Sequence, residues 1–151
     1  MIKHIKCDIF ESGADIILHQ VNCQGVMGSG VAKQVREKYP WVYSHYKRLC
    51  GLRRNKEDLL GFAQSIHINE RQEIVNLFAQ LNFGCDGQCY TDYDALKKAL
   101  ESVRDFRKEE TIAIPYLMGC HRGGGDWNVV YKMIEEIFVD HNVLICEYNG
   151  G

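Results

Sequence analysis

The run "ADIILHQV", Ala14 to Val21, constrains this chain more than any other stretch. It is short, nearly all apolar and rich in β-branched side chains, so it reads as a central strand of a sheet. "TIAIPYLM" reads as another buried strand and "VLICEY" as the last. "MIKHIKC" alternates apolar and polar residues and reads as an opening strand, while "GFAQSIHI" and "QEIVNLFAQ" read as a strand pair joined through "NERQ". Segments of helical period lie between them. "GSGVAKQVREKYP" puts Val31, Val35 and Tyr39 on one face and breaks or restarts at Pro40, and "WVYSHYKRLC" continues to near Gly51. Tyr93, Leu96, Leu100 and Val103 form an apolar stripe behind a capping Thr91 or Asp92. Val130, Met133, Ile134 and Ile137 do the same behind Asp126, which stands in an N-cap position. The alternation predicts a single three-layer α/β/α domain over residues 1–151, with a central mixed sheet and strand C-terminal ends gathered on one rim.

Net charge is −2 with a pI near 6.3, which argues against a protein that lives on phosphate-backbone contacts. It leaves room for one small anion held by backbone amides. The seven cysteines are odd in number and scattered, several inside apolar runs, so reduced thiols and a cytoplasmic location are expected. Cys85 and Cys89 lack a second ligand pair nearby, and no metal or other cofactor is expected. "MIKHIKCDIF" lacks the apolar core of a signal peptide, and no window holds the ~18 apolar residues of a membrane span. Nothing suggests an obligate oligomer, so a monomer is expected.

Two glycine loops carry the functional signal. In "HQVNCQGVMGSGVAKQV", Gly25, Gly28 and Gly30 separate a strand from a helix. In "MGCHRGGGDWNVV", Gly119, Gly123, Gly124 and Gly125 do the same. Glycine permits positive φ and close approach of backbone N–H groups, and a helix N-terminus adds unpaired donors. One such loop is as often only a turn. Two in one small domain predict a clamp on a diphosphate, in the crevice beyond the strand ends. Neither is a Walker motif.

With these loops in view the sequence resembles the macrodomains, the ADP-ribose-binding family. "CDIFESGADIILHQVNC", "GVMGSGVAKQVREKYP", "IPYLMGCHRGGGDWNVVYKMIEEIF" and "LICEYN" carry the resemblance over nearly the whole chain. "NCQGVMGSG" and "GGGDW" look nearest the branch with terminal ADP-ribose protein glycohydrolases and ADP-ribose 1″-phosphate phosphatases. The resemblance implies that Asp8 accepts from the adenine amine, that the Ile9 amide meets the ring, and that Tyr148 packs near the adenosine. It implies that Met27, Gly28, Ser29, Gly30 and Val31 wrap the diphosphate and distal ribose. Gly123, Gly124 and Gly125 would then close over the phosphates, with Gly119 and Cys120 in the same binding loop; His121 and Arg122 stand where relatives more often carry small or apolar residues, and they either neutralise a phosphate or gate the cleft, or form a solvated loop. Asn22 would lie near the distal ribose. One departure stands out: the glycohydrolase branch uses a lysine from the segment before the late helix, and "AQLNFGCDGQCYTDY" has none.

For chemistry, His19, Asp126 and Asn22 are the candidates. A histidine near neutral pKa activates water or protonates a leaving oxygen; the other reading of His19 is a core histidine hydrogen-bonded in its strand. Asp126 would orient water, or simply cap its helix. The expected function is hydrolysis of ADP-ribose 1″-phosphate, or release of ADP-ribose from a modified protein or nucleic acid. The alternative is a non-catalytic ADP-ribose reader.

Overall fold

The computed structural model describes residues 1–84 and 86–148. Six strands, β1 (Ile2–Lys6), β2 (Ile16–Asn22), β3 (Ala63–His67), β4 (Glu73–Gln80), β5 (Ile112–Pro115) and β6 (Val143–Glu147), form one sheet in the order β1-β6-β5-β2-β4-β3. All neighbours run parallel except the edge strand β3, which pairs antiparallel with β4 through the turn at 68–72. The helices are α1 (Gly30–Lys38), α2 (Pro40–Leu52), α3 (Tyr93–Phe106) and α4 (Trp127–Ile137).

Side-chain alternation along β2 explains why it reads as continuously apolar. Ile16 and Leu18 pack into the cluster built by α3 and α4, while Ile17 and Val21 pack into the opposite cluster with Val35, Val42 and Tyr46 of α1 and α2. A strand covered on both faces has no polar side. The expected three layers and mixed sheet are therefore present. Asp92, not Thr91, caps α3, its carboxylate accepting from the Ala95 N–H at 3.0 Å. Pro40 restarts the chain as the first residue of α2, directly after α1, with Tyr39 shared between the two ends.

"TIAIPYLM" is a strand only to Pro115. Tyr116 to Met118 form a turn in which Leu117 takes φ +64, a left-handed conformation unusual for a leucine. The chain thus leaves the sheet three residues earlier than its apolar run suggests, and Tyr116 and Leu117 face the cleft described next. Among the described residues no helix is long and apolar enough to cross a membrane, and no cluster of potential metal ligands occurs. Cys85 of the "GCDGQC" pair lies outside the described residues.

Candidate functional site

Parallel strands send their C-terminal ends to one rim, and a cleft of about 1030 Å³ opens there. Asp8 follows β1, Asn22 ends β2, Gln80 ends β4, Pro115 ends β5, and Glu147 with Tyr148 closes β6; all six line the cleft. The two glycine loops border it, Gly28 to Val31 on one side and Gly119, His121, Arg122 and Gly123 on the other.

The first loop is fastened from below. Asn22 Oδ1 accepts the Gln24 N–H at 2.9 Å, and its Nδ2 donates to the Val26 carbonyl at 2.8 Å. The buried Tyr46 hydroxyl of α2 sits 2.7 Å from the Asn22 carbonyl and 2.9 Å from Oδ1. Gly25 turns the chain at φ +80, and Met27 plugs into the core with no exposure. The loop then delivers α1 with its N-terminus open. Ser29 makes no side-chain cap bond, so the first-turn N–H groups have no partner among the described residues. A Cβ built at Gly30 would meet nothing within 4 Å. This helix start thus presents open backbone N–H groups on the cleft wall, donors of the kind that suit an anion.

The second loop is packed rather than open. The Gly123 carbonyl accepts from the Tyr90 and Thr91 N–H groups at 2.7 and 2.9 Å, and Thr91 Oγ1 donates to the Gly119 carbonyl at 2.6 Å. A Cβ on Gly123 would stand 2.5 Å from both the Gly119 carbonyl and Thr91 Oγ1. Gly124, at φ +69, lies against the Gln88 and Cys89 backbone. Its helix is closed by Asp126, whose carboxylate accepts the Asn128 N–H at 2.9 Å. Asp126 is exposed and does not line the cleft, so its capping role is the one the structure shows. Gly124, Gly125, Cys120 and Met27 are likewise not among the residues that line the cleft. Cys120 is half-buried, and burial, with the Asp126 charge next, pushes its thiol up to about 11.

His19 faces the α1–α2 side from the middle of β2, 1% exposed. Its Nε2 lies 2.5 Å from Asn76 Oδ1 on the neighbouring strand, while Nδ1 is buried without a partner among the described residues. Burial lowers its pKa to about 4, and the Asn76 bond opposes this only in part. At neutral pH the ring is therefore uncharged. His19 thus lines the cleft as a buried, uncharged ring held in its strand beside Asn76. Asn22, too, lines the cleft with its amide committed to the loop beneath it.

Sequence reasoning missed the polar seam between the loops. Gln20 Nε2 donates to Gln80 Oε1 at 2.8 Å and to Thr91 Oγ1 at 2.9 Å, and its own Oε1 is buried with no partner among the described residues. Glutamines inside strand runs are the signal that was available: a polar group held in a covered strand needs a stated partner. Phe83, Tyr116 and Leu117 also line the cleft and are unusually exposed for large apolar side chains.

No protein-family model matches the chain. It is 23% identical, over its whole length, to a DNA ADP-ribosyl glycohydrolase of Mycobacterium tuberculosis, of which it spans 43%. Over 32% of its length it is 43% identical to an ADP-ribose 1″-phosphate phosphatase of Aspergillus oryzae, of which that match spans 25%. The chain thus covers less than half of these relatives. Among solved structures it superposes on a macrodomain protein from Streptomyces coelicolor with TM-score 0.80 at 21% identity, covering all of both chains. It also superposes on Thermosipho africanus DarTG in complex with ADP-ribose with TM-score 0.79 at 20% identity, covering 97% of this chain and 41% of that one.

Proposed function

The chain has the macrodomain fold, and from that premise we propose that its cleft binds ADP-ribose and that it hydrolyses an ADP-ribose derivative at the distal ribose. The carrying observation is the uncapped start of α1 on the wall of a cleft that has a carboxylate, Asp8, at another strand end. One Asp8 oxygen is used by the Phe10 N–H at 3.0 Å, which orients the carboxylate and leaves acceptor capacity for an exocyclic amine. Ile9 and Tyr148 complete that adenine end. Gly28, Ser29, Gly30 and Val31 hold the diphosphate with backbone donors, and Arg122 reaches it from the second loop.

Catalysis in this reading comes from positioning and from donors aimed at developing charge, with water as the nucleophile. A lysine adduct is excluded from the segment 80–93, which holds no lysine. Relatives acting on ADP-ribosylated DNA and on ADP-ribose 1″-phosphate supply the two substrate classes to try. The second reading, a reader that binds without turnover, is favoured by the buried, uncharged His19 and by Asp126 standing outside the cleft.

Calorimetry with ADP-ribose tests the binding step. Asp8→Ala is expected to weaken it by about ten- to a hundredfold, the cost of one hydrogen bond to a charged group. No heat from the wild-type protein at millimolar ligand ends the proposal. Incubation with ADP-ribose 1″-phosphate and with an ADP-ribosylated oligonucleotide separates the readings: free ADP-ribose in either supports the hydrolase, and tight binding without product supports the reader.

A further inference from the structure

Charge is segregated in this molecule. The α1–α2 layer, Gly30 to Leu52, carries Lys33, Arg36, Lys38, Lys47 and Arg48 against one acid, Glu37, in a chain whose net charge is −2. Arg53 and Arg54 follow at once. None of these cations enters an ion pair among the described residues. Two of them converge. The Arg36 guanidinium lies 5.8 Å and the Lys47 ammonium 5.9 Å from the centroid of the same Tyr43 ring, both within cation–π range. The Tyr43 hydroxyl donates to the Gly25 carbonyl at 3.4 Å, so this trio is joined to the first glycine loop. Lys47 also passes 3.8 Å from where a Gly25 Cβ would stand.

Two cations stacked on one ring, neither in an ion pair among the described residues, leave their charge available to an outside anion. From this convergence beside the cleft we propose that the α1–α2 face, through Arg36, Lys47 and Lys33, docks the phosphate backbone of a nucleic acid strand. The surface continues into the first glycine loop, whose far side lines the ADP-ribose cleft, while Arg36, Tyr43 and Lys47 themselves do not line it. A strand held here would present an attached ADP-ribose to the loop. This deepens the proposed function, resting on it for the purpose of docking but not for the docking itself. It also refines the meaning of the slightly acidic net charge, which averages over a basic layer.

The test is fluorescence anisotropy of a labelled single-stranded oligonucleotide, without ADP-ribose, between about 50 mM and about 200 mM salt. Binding that weakens with salt is expected. Arg36→Gln with Lys47→Gln should weaken it about tenfold and reduce the logarithmic salt slope by about 1.4, two phosphate contacts on a single strand. Lys97→Gln with Lys98→Gln, on the opposite helical layer, should change neither. Calorimetry with ADP-ribose should give the same affinity for the Arg36/Lys47 variant as for the wild type, which also shows that the variant is folded. No anisotropy change at low salt overturns the proposal, as does an unchanged slope in the Arg36/Lys47 variant. Displacement of the strand by polyglutamate at equal charge also overturns it, in favour of an acidic protein partner. If ADP-ribose gives no heat while the strand binds, the reading of the cleft fails and this one stands.

Discussion

The two glycine loops have the same sequence signature, strand to glycines to helix, yet their glycines exist for different physical reasons. In the first loop, space around Gly28 and Gly30 is open and the helix that follows is left uncapped. In the second, the glycines let backbone press on backbone at 88–91, and Asp126 closes the helix start. One loop leaves its donors open on the cleft; the other uses its freedom for packing. A glycine-rich turn therefore does not by itself reveal which job it has. What stands beside the missing Cβ decides.

The comparison breaks or holds on substitutions. The largest effect is expected at Gly124→Ala, where positive φ and the Gln88–Cys89 backbone leave no room; urea denaturation should show a loss of about 3 kcal/mol. Gly28→Ala, whose nearest neighbour is a Val26 methyl at 3.6 Å, should stay within about 0.5 kcal/mol of wild type yet weaken ADP-ribose binding about tenfold. Equal destabilisation by the two changes would erase the distinction.

Acid should act next, through His19. Its folded pKa of about 4 lies below the ordinary 6.5, so the unfolded chain takes up the proton first. The stability is fully present above about pH 6.5 and is lost as pH falls toward 4. Between pH 7 and about 4.5 the wild-type protein should lose about 2 kcal/mol more than His19→Gln, measured by denaturant titration at each pH. Parallel losses would remove the buried neutral imidazole from the account. Tyr46→Phe should cost about 1–2 kcal/mol by unpinning Asn22, with weaker ADP-ribose binding in the same protein. Smallest is Asp126→Ala: about 1 kcal/mol of cap energy and an unchanged ADP-ribose affinity. A large fall in turnover with stability intact would return Asp126 to the chemistry.

Most of the architecture was legible because it rests on periodicity. The apolar stripe of α3, a cap at Thr91 or Asp92 and a break or restart at Pro40 each follow from local rules, and the structure selects Asp92 and the restart. Two kinds of information were not local. Leu117 ends an apolar run in a left-handed turn, which no hydrophobic pattern announces. Gln20, Gln80 and Thr91 come from three distant segments and meet only because β2 and β4 pair in parallel, with a register shift at Val21/Asn22 that sets Asn22 opposite Gln80. His19 was legible as a polar residue in a covered strand, but its partner, Asn76, is named only by that same register. The cleft wall was readable as glycines; which glycines face the ligand was not.

Tyr46 joins two surfaces that otherwise have separate duties. Its helix bears Lys47 and Arg48, and its phenol grips the asparagine under the first loop. Tension applied to α2 from outside would thus reach the first loop through two of its phenols, Tyr43 at Gly25 and Tyr46 at Asn22. A polymer seated on that exterior would stiffen the very loop that meets its appended sugar.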